Sequence, residues 1–374
     1  MQPAMSLTYG ALVRDFALSP ELEELEAAAE RLARSELEPN VRESEGAGRW
    51  SDTVLAVLDG FPLGGLDVPG RIGGAGAGAL AKAVLLETLA KADASGLVAA
   101  DRPGPCIGAV LACPDDALVA EVLGSYESSQ GAFTVVDVEL GSAGPAWAPG
   151  WPDLRWVWVS EGDELRLHEV NGPVEQVKVL AFQASGGVSV DFSATELRGR
   201  WPLSPSASLG VRARARLWGA AVGVGVAQAA LDETIEYTTE RVVFGKPVAH
   251  HQGNAFDLAA VAARVHAARL VVRDAAASFD REETDAAFWA TQAWLETMEA
   301  AFAATNLGIQ LLGGHGFLVD HLAEKRFREA RHLAMLGGGR DSAELDVAAW
   351  TLDIRDPFVI REIDSLQASQ GGAL

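Results

Sequence analysis

The residues best placed to do chemistry lie in one short stretch of this 374-residue chain: Glu240-Arg241-Val242-Val243-Phe244-Gly245-Lys246-Pro247, followed by His251-Gln252. An arginine fork and a side-chain amide at one corner suit an anionic, hydrogen-bonding ligand. The same residues also make an ordinary helix hairpin, where the dipole alone favours an arginine near a helix C-terminus. A second run, Gln310-Leu311-Leu312-Gly313-Gly314-His315-Gly316, puts glycines where a ligand could approach the backbone closely or where a helix simply ends. His315 could donate to such a ligand, or sit at the surface as a capping group. Nothing assembles into a Ser/His/Asp or Cys/His nucleophile set. Cys106 and Cys113 form no CxxC pair, which argues against a zinc site or a disulfide framework. They read as buried thiols in a reducing compartment.

The elements that must position these residues are mostly helical. Leu217, Ala221, Val224, Ala227, Leu231 and Ile235 recur at helical spacing before Arg241, and Leu258, Val261, Val265, Ala268, Val272 and Phe279 do so after Gln252. Gly245 and Pro247 mark the turn between the two helices. A third helix is expected from about Asp285 to Leu312, a fourth from His321 to Leu336, and a last one beginning near Asp341 as its cap. At the other end of the chain, Ser19-Pro20-Glu21 opens a helix, and further helices are expected over 51–58, 80–93 and 114–124. The glycine-rich loop 64–76 has neither GxGxxG nor GxxxxGK[ST] and reads as a structural connection. From about residue 130 the period changes. Strands are expected over 132–138, 156–159, 164–170, 176–182 and 187–192, ending at the proline-punctuated Trp201-Pro202-Leu203-Ser204-Pro205-Ser206. The expected class is α+β, mainly α. It comprises an N-terminal helical domain (1–128), a small middle β domain (129–205), and a C-terminal bundle of four or five helices (206–374).

Composition narrows the partners. With a formal net charge of -22 and 49% hydrophobic residues, the chain can build sizeable cores but repels nucleic acid and anionic membranes. Any anionic ligand needs a local cluster of cations. Met1 to Tyr9 does not read as a secretory leader, and no apolar run reaches membrane-spanning length. The expected location is the cytoplasm.

Taken together, Arg241-x-x-Phe244-Gly245-Lys246-Pro247, His251-Gln252, Gln310 to Gly316 and Arg326-Phe327-Arg328-Glu329-Ala330-Arg331 resemble the acyl-CoA dehydrogenase family of flavoproteins. Leu66-x-Val68-Pro69 with Gly73-Gly74 resembles the family's N-terminal loop. The resemblance implies α,β-dehydrogenation of an acyl-CoA thioester in lipid metabolism. A glutamate removes the α proton and FAD receives the β hydride. It also implies that a neighbouring subunit holds part of each flavin. Arg241 matches the arginine that pairs with the diphosphate. Phe244, His251 and Gln252 match residues lining that pocket, and Gln310, Gly313 and Gly314 match the run at the adenosine end.

The remainder of the family's site departs from the pattern. Gly337 stands at the position of the usual catalytic glutamate. Ala215 stands at the alternative base position, beside Arg216. Only Arg216 and Gly338 retain substrate-related positions. The family's Thr-Glu-Pro-Gly-type stretch corresponds to Val136-Asp137-Val138-Glu139-Leu140-Gly141-Ser142, which lacks the threonine and most glycines. Trp156-Val157-Trp158 reads as strand packing, not as a flavin flank. Asp341 and Glu344 lie within a turn or two of Gly337 as candidate replacement acids. The expectation is a dimer or tetramer in which a homologous partner supplies the catalytic glutamate and the acyl-CoA site. The FAD is shared between the two chains. The alternatives are a repurposed fold with non-redox chemistry, a purely structural or binding subunit, or a homo-oligomer using Asp341.

Overall fold

The computed structural model describes residues 17–59, 63–101, 103–127, 132–137, 146–151 and 154–352. The chain opens with α1 (Pro20–Leu32), whose Ser19 side chain accepts from the Leu22 amide. Short helices α2 (Val41–Ala47) and α3 (Asp52–Asp59) follow, then the long α4 (Gly78–Asp93) and the short α5 (Leu97–Ala100), α6 (Ile107–Ala112) and α7 (Asp116–Glu127). The glycine-rich loop before α4 folds on itself: the Ala75 amide donates to Gly65 and the Gly76 amide to Val68. A Cβ on Gly74 would stand 2.0 Å from the Val68 carbonyl oxygen. These glycines therefore serve close packing of the loop.

The middle of the chain forms two small sheets. β1 (Ala132–Asp137), β3 (Leu154–Glu161), β4 (Glu164–Glu169) and β7 (Glu196–Pro202) lie in the order β1-β3-β4-β7, with β1 parallel to β3 and the other pairs antiparallel. β2 (Ala146–Pro149), β5 (Glu175–Gln176) and β6 (Gly187–Val190) form the second sheet in the order β2-β6-β5. β3 is buried on both faces. Trp156 and Trp158 join Cys106, Ile107, Leu165 and Leu167 against α6, while Val157 and Val159 meet Val188 and Val190 of β6. A strand held between two layers reads as a continuous apolar run, as Trp-Val-Trp-Val does. The two tryptophans thus pack in the core. The strand expected over 176–182 is absent beyond Gln176, because the segment turns through Phe182 at φ 54°. The weakly apolar β2 and β7 were not anticipated. β7 takes in Trp201 and Pro202, so the connection is shorter than expected, and Ser204 caps the next helix with Pro205 in its first turn.

Three long helices carry the rest: α8 (Pro205–Glu240), α9 (Gln252–Asp280) and α10 (Ala286–Leu312), joined by a hairpin of β8 (Val242–Val243) and β9 (Lys246–Pro247). α11 (Ala323–Leu333) and α12 (Gly339–Thr351) close the bundle. α8 is small-residue-rich because other helices press on it from opposite sides. A Cβ on Gly225 would lie 2.4 Å from the Glu87 carbonyl oxygen of α4, and one on Gly223 would lie 2.8 Å from Thr297 Cγ2 of α10. Glu87 itself receives Arg269 and Arg273 of α9, so α4, α8 and α9 meet around one buried carboxylate. The architecture is that of N-terminal helices, a middle β region and a C-terminal helical bundle. None of the described helices is long and apolar enough to cross a membrane.

Overpacking at this crossing should cost about 1–3 kcal/mol. Gly225→Ala is accordingly expected to lower the urea midpoint with an unchanged m-value. Unaltered stability would mean that α4 and α8 are not in the close contact described.

Candidate functional site

Arg241 caps the C-terminus of α8, and its amide donates to the Tyr237 carbonyl. The next residues make a two-residue hairpin turn in which Phe244 (φ 52°) and Gly245 (φ 80°) both take positive φ, as the tight primed turns of hairpins require. Glycine does so freely. A bulky residue in this region is an outlier that surrounding structure normally has to hold in place. Phe244 has no such support from its own chain, since it is 94% exposed. His251 Nε2 bonds the Val243 carbonyl at 3.1 Å, and Asn254 Nδ2 donates to the Val248 carbonyl at 3.0 Å, which fixes the entry to α9. Gln252 begins α9 and is exposed.

The same end of the bundle holds the second run. α10 ends at Leu312, and Gly313 follows with φ 59°. Gln310, Gly313 and Gly314 are exposed, and a Cβ built on either glycine would meet nothing within 4 Å. The two runs are bound together where Tyr237 Oη and His315 Nδ1 share a hydrogen bond of 3.1 Å. Arg241 makes no side-chain ion pair or hydrogen bond among the described residues. The Arg241 guanidinium is exposed, with free donors of the kind that hold an external anion.

The positions expected to carry a base lie elsewhere. From Arg216 to Arg241 along α8 is about 37 Å at 1.5 Å per residue. Arg216 is fully buried. Its guanidinium donates to Asp346 Oδ2 at 2.6 Å, Ser342 Oγ at 3.0 Å, the Gly337 carbonyl at 3.0 Å and Thr291 Oγ1 at 3.3 Å. Asp346 also takes Arg212 in a two-pronged contact at 2.8 and 3.2 Å. Burial works against the Asp346 charge, but the two arginines outweigh it and hold the carboxyl below its ordinary range. Gly337 has φ 65°, and a Cβ there would stand 2.7 Å from Arg216 Cγ. Gly338, also at positive φ, precedes α12 as its cap. Ala215 offers only a buried methyl group.

Neither replacement acid takes up the role. Asp341 does not cap α12 as expected; it lies exposed in the first turn, because Gly338 and Gly339 turn the chain before it. Glu344 pairs with Arg340 at 2.6 Å. The acid that matters here, Asp346, was missed. Arg212 and Arg216 stand one turn apart in a stretch where Val211, Ala213, Ala215 and Leu217 are the apolar neighbours, and that pattern was a signal that an acidic partner had to exist.

Between α4 and α8 the interior is also occupied. Lys82 pairs with Asp101, which accepts Trp218 Nε1 at 2.6 Å. Burial raises the Asp101 carboxyl above its ordinary range despite Lys82. The adjoining pocket is bordered by Asp67, Arg214 and Trp218. Val136 and Asp137 fall in β1, while Val138 to Ser142 lie outside the described residues. Cys106 and Cys113 are buried free thiols with pKa values pushed up by burial, as inert thiols should be. Among the described residues no group of His, Cys, Asp or Glu could hold a metal ion. Gly337 and Ala215 place no carboxylate at either expected base position among the described residues.

Models for the acyl-CoA dehydrogenase N-terminal and C-terminal domains match residues 19–126 and 211–352, about two thirds of the chain together. The chain belongs to the acyl-CoA dehydrogenase family. It is 27% identical over 359 residues to a probable acyl-CoA dehydrogenase, fadE25, of Mycobacterium leprae, spanning 84% of this chain and 91% of that one. It is 25% identical over 381 residues to the 3-sulfinopropanoyl-CoA desulfinase of Paraburkholderia xenovorans, spanning 90% and 97%. Its fold is similar to that of butyryl-CoA dehydrogenase from Megasphaera elsdenii, with a TM-score of 0.75 at 19% identity, covering 91% of this chain and all of that one.

Two measurements follow from these geometries. Replacing Phe244 by Asn, which tolerates positive φ, should stabilise the isolated chain by about 1 kcal/mol; a lower melting temperature would show that the aromatic ring is held by the chain itself. The second concerns His332 of α11, packed against Phe182 and Trp147. Burial lowers its pKa from 6.5 to about 4. Between those values the unfolded chain takes up a proton that the folded ring refuses, so stability is lost as pH falls through that window, by up to about 3 kcal/mol. His332→Phe should flatten this part of the urea-stability profile between pH 7 and 4.5. An unchanged slope would count against a neutral buried ring.

Proposed function

We propose that this chain is the nucleotide-gripping subunit of a heteromeric acyl-CoA dehydrogenase. It offers Arg241, Phe244, His251, Gln252, Gln310, Gly313 and Gly314 to an FAD whose isoalloxazine ring, catalytic glutamate and acyl-CoA site belong to a homologous partner, in a dimer or tetramer. The observation that carries this reading is the contrast between the two ends of α8. At the outer end Arg241, Gln252 and Gln310 are exposed, and their side chains have no partner among the described residues. At the inner end, Arg216 is fixed by Asp346, Ser342 and Thr291 over a glycine that has no room for a side chain.

In this arrangement Arg241 neutralises and orients the diphosphate through charge-assisted hydrogen bonds. Gly313 and Gly314 let the nucleoside lie close to the backbone. Phe244, held in its strained turn, covers the cofactor from water. FAD bound between the chains supplies the hydride acceptor. The α proton is taken by the partner's carboxylate, since glycine at 337 and alanine at 215 can accept no proton.

A second reading keeps the fold and drops the redox step. It is favoured by the similarity to a relative named as a desulfinase. Colour separates the two. A yellow assembly that bleaches on addition of acyl-CoA supports the first reading, and a colourless one in every partnered state supports the second.

Co-expression with neighbouring family members, followed by flavin counting, should give one FAD per unlike pair. Full dehydrogenase turnover with one FAD per copy of this chain alone would overturn the proposal. Arg241→Ala should lower FAD affinity in the assembly by about 2–3 kcal/mol. Gly337→Glu should restore no activity to the chain alone.

A further inference from the structure

The pocket between the glycine-rich loop, α4 and α8 is bordered by two charged groups whose burial no hydrogen bond offsets. The Asp67 side chain is 6% exposed, and Lys82 Nζ stays 3.9 Å from its Oδ1. That oxygen is buried without a hydrogen-bond partner. Lys82 is already committed to the Leu63 carbonyl and to Asp101. Arg214 borders the same pocket. Its guanidinium lies 4.2 Å from the centre of the Phe279 ring and makes no hydrogen bond or ion pair among the described residues. Burial holds its pKa below the ordinary range, against the pull of Asp67 and Asp280. Asp280 is itself occupied, since it accepts the Ala79 and Leu80 amides at 2.6 and 2.9 Å. A carboxylate and a guanidinium thus border one pocket without pairing. Buried polar groups are rarely left so, and each such group calls for a partner. Leu86, Ile107 and Leu217 give the same pocket an apolar side.

We propose that this pocket binds a small zwitterionic amino acid, with its carboxylate on Arg214, its ammonium on Asp67 and an aliphatic side chain against Leu86, Ile107 and Leu217. Charge selects this class. Asp67, Asp101, Lys82 and Arg214 together carry no net charge, so a ligand of one sign would bring an unmatched charge into a poorly solvated site. A carboxylate alone satisfies Arg214 and leaves Asp67 facing a like charge. An amine alone leaves the guanidinium without an acceptor, and an apolar ligand leaves both groups bare. A zwitterion satisfies the two at once, and the arginine fork matches a carboxylate with two parallel hydrogen bonds. The site lies about 40 Å along α8 from Arg241 at 1.5 Å per residue, so it stands apart from the flavin reading.

The experiment titrates the full-length chain calorimetrically with L-valine, with isovalerate, which lacks the ammonium, and with isobutylamine, which lacks the carboxylate. Valine should bind one per chain, and each truncated probe should bind roughly ten-fold more weakly or worse, the share of one charge-assisted hydrogen bond. This comparison needs no substitution, so it does not depend on any variant folding. Asp67→Asn should then weaken valine and isobutylamine by a similar factor without weakening isovalerate. Arg214→Gln should weaken valine and isovalerate without weakening isobutylamine. Thermal midpoints check that both variants are folded. A wild type that takes up no valine at millimolar concentration would overturn the proposal, with water alone bridging the two groups. Valine bound no more tightly than its two fragments would overturn it as well, and so would valine affinity unchanged in both folded variants.

Discussion

The burial of the Arg216 guanidinium is the constraint around which the C-terminal half is arranged. A cation taken wholly out of water must be matched by an anion and by hydrogen bonds to its remaining donors. Here Asp346 provides the charge, while Ser342, Thr291 and the Gly337 carbonyl take further hydrogen bonds. These partners come from α10, α12 and the turn before α12, so a single side chain of α8 ties three elements together. The turn must pass directly over the arginine stem, and only glycine fits there. The absence of a base at Gly337 and the pairing of Arg216 are therefore two aspects of one packing arrangement.

The opposite end of the same helix follows a different rule. There the Arg241 guanidinium has no partner among the described residues, and Phe244 takes a left-handed conformation at the surface. Further apolar side chains, Phe256, Phe317 and Val319, are exposed in the flanking elements. Strain and exposed apolar area in a folded chain point to contacts formed outside it. One end of α8 thus has its buried arginine matched by its own chain, and the other carries an arginine that is not.

Much of this was legible in the sequence. The long helices followed from three/four spacing, and two of their ends were marked by Gly245 and Gly313-Gly314, whose backbone preferences are local. The hairpin corner was recognisable from its residues alone. The middle region was less legible. β3 was clear because a strand buried on both faces is apolar throughout, whereas β2 and β7 are held by pairing with neighbours and carry little pattern of their own. The expected strand at 176–182 failed because the turn at Phe182 is set by tertiary contact with His332. Asp346 was missed for a related reason. Its meaning depends on residues 130 and 134 positions away, and spacing along one element does not encode such pairings. Asp341 was misread because a favourable capping residue lost to two glycines that turn the chain earlier.

The closeness of Gly337 to Arg216 also bears on how such a chain can change over time. A side chain restored at 337 would collide with the arginine stem, and an arginine freed from Asp346 would leave an unpaired charge in the core. Each of these two changes is harmful unless the other has already occurred. The pairing therefore works as a ratchet, since no single codon change relieves it.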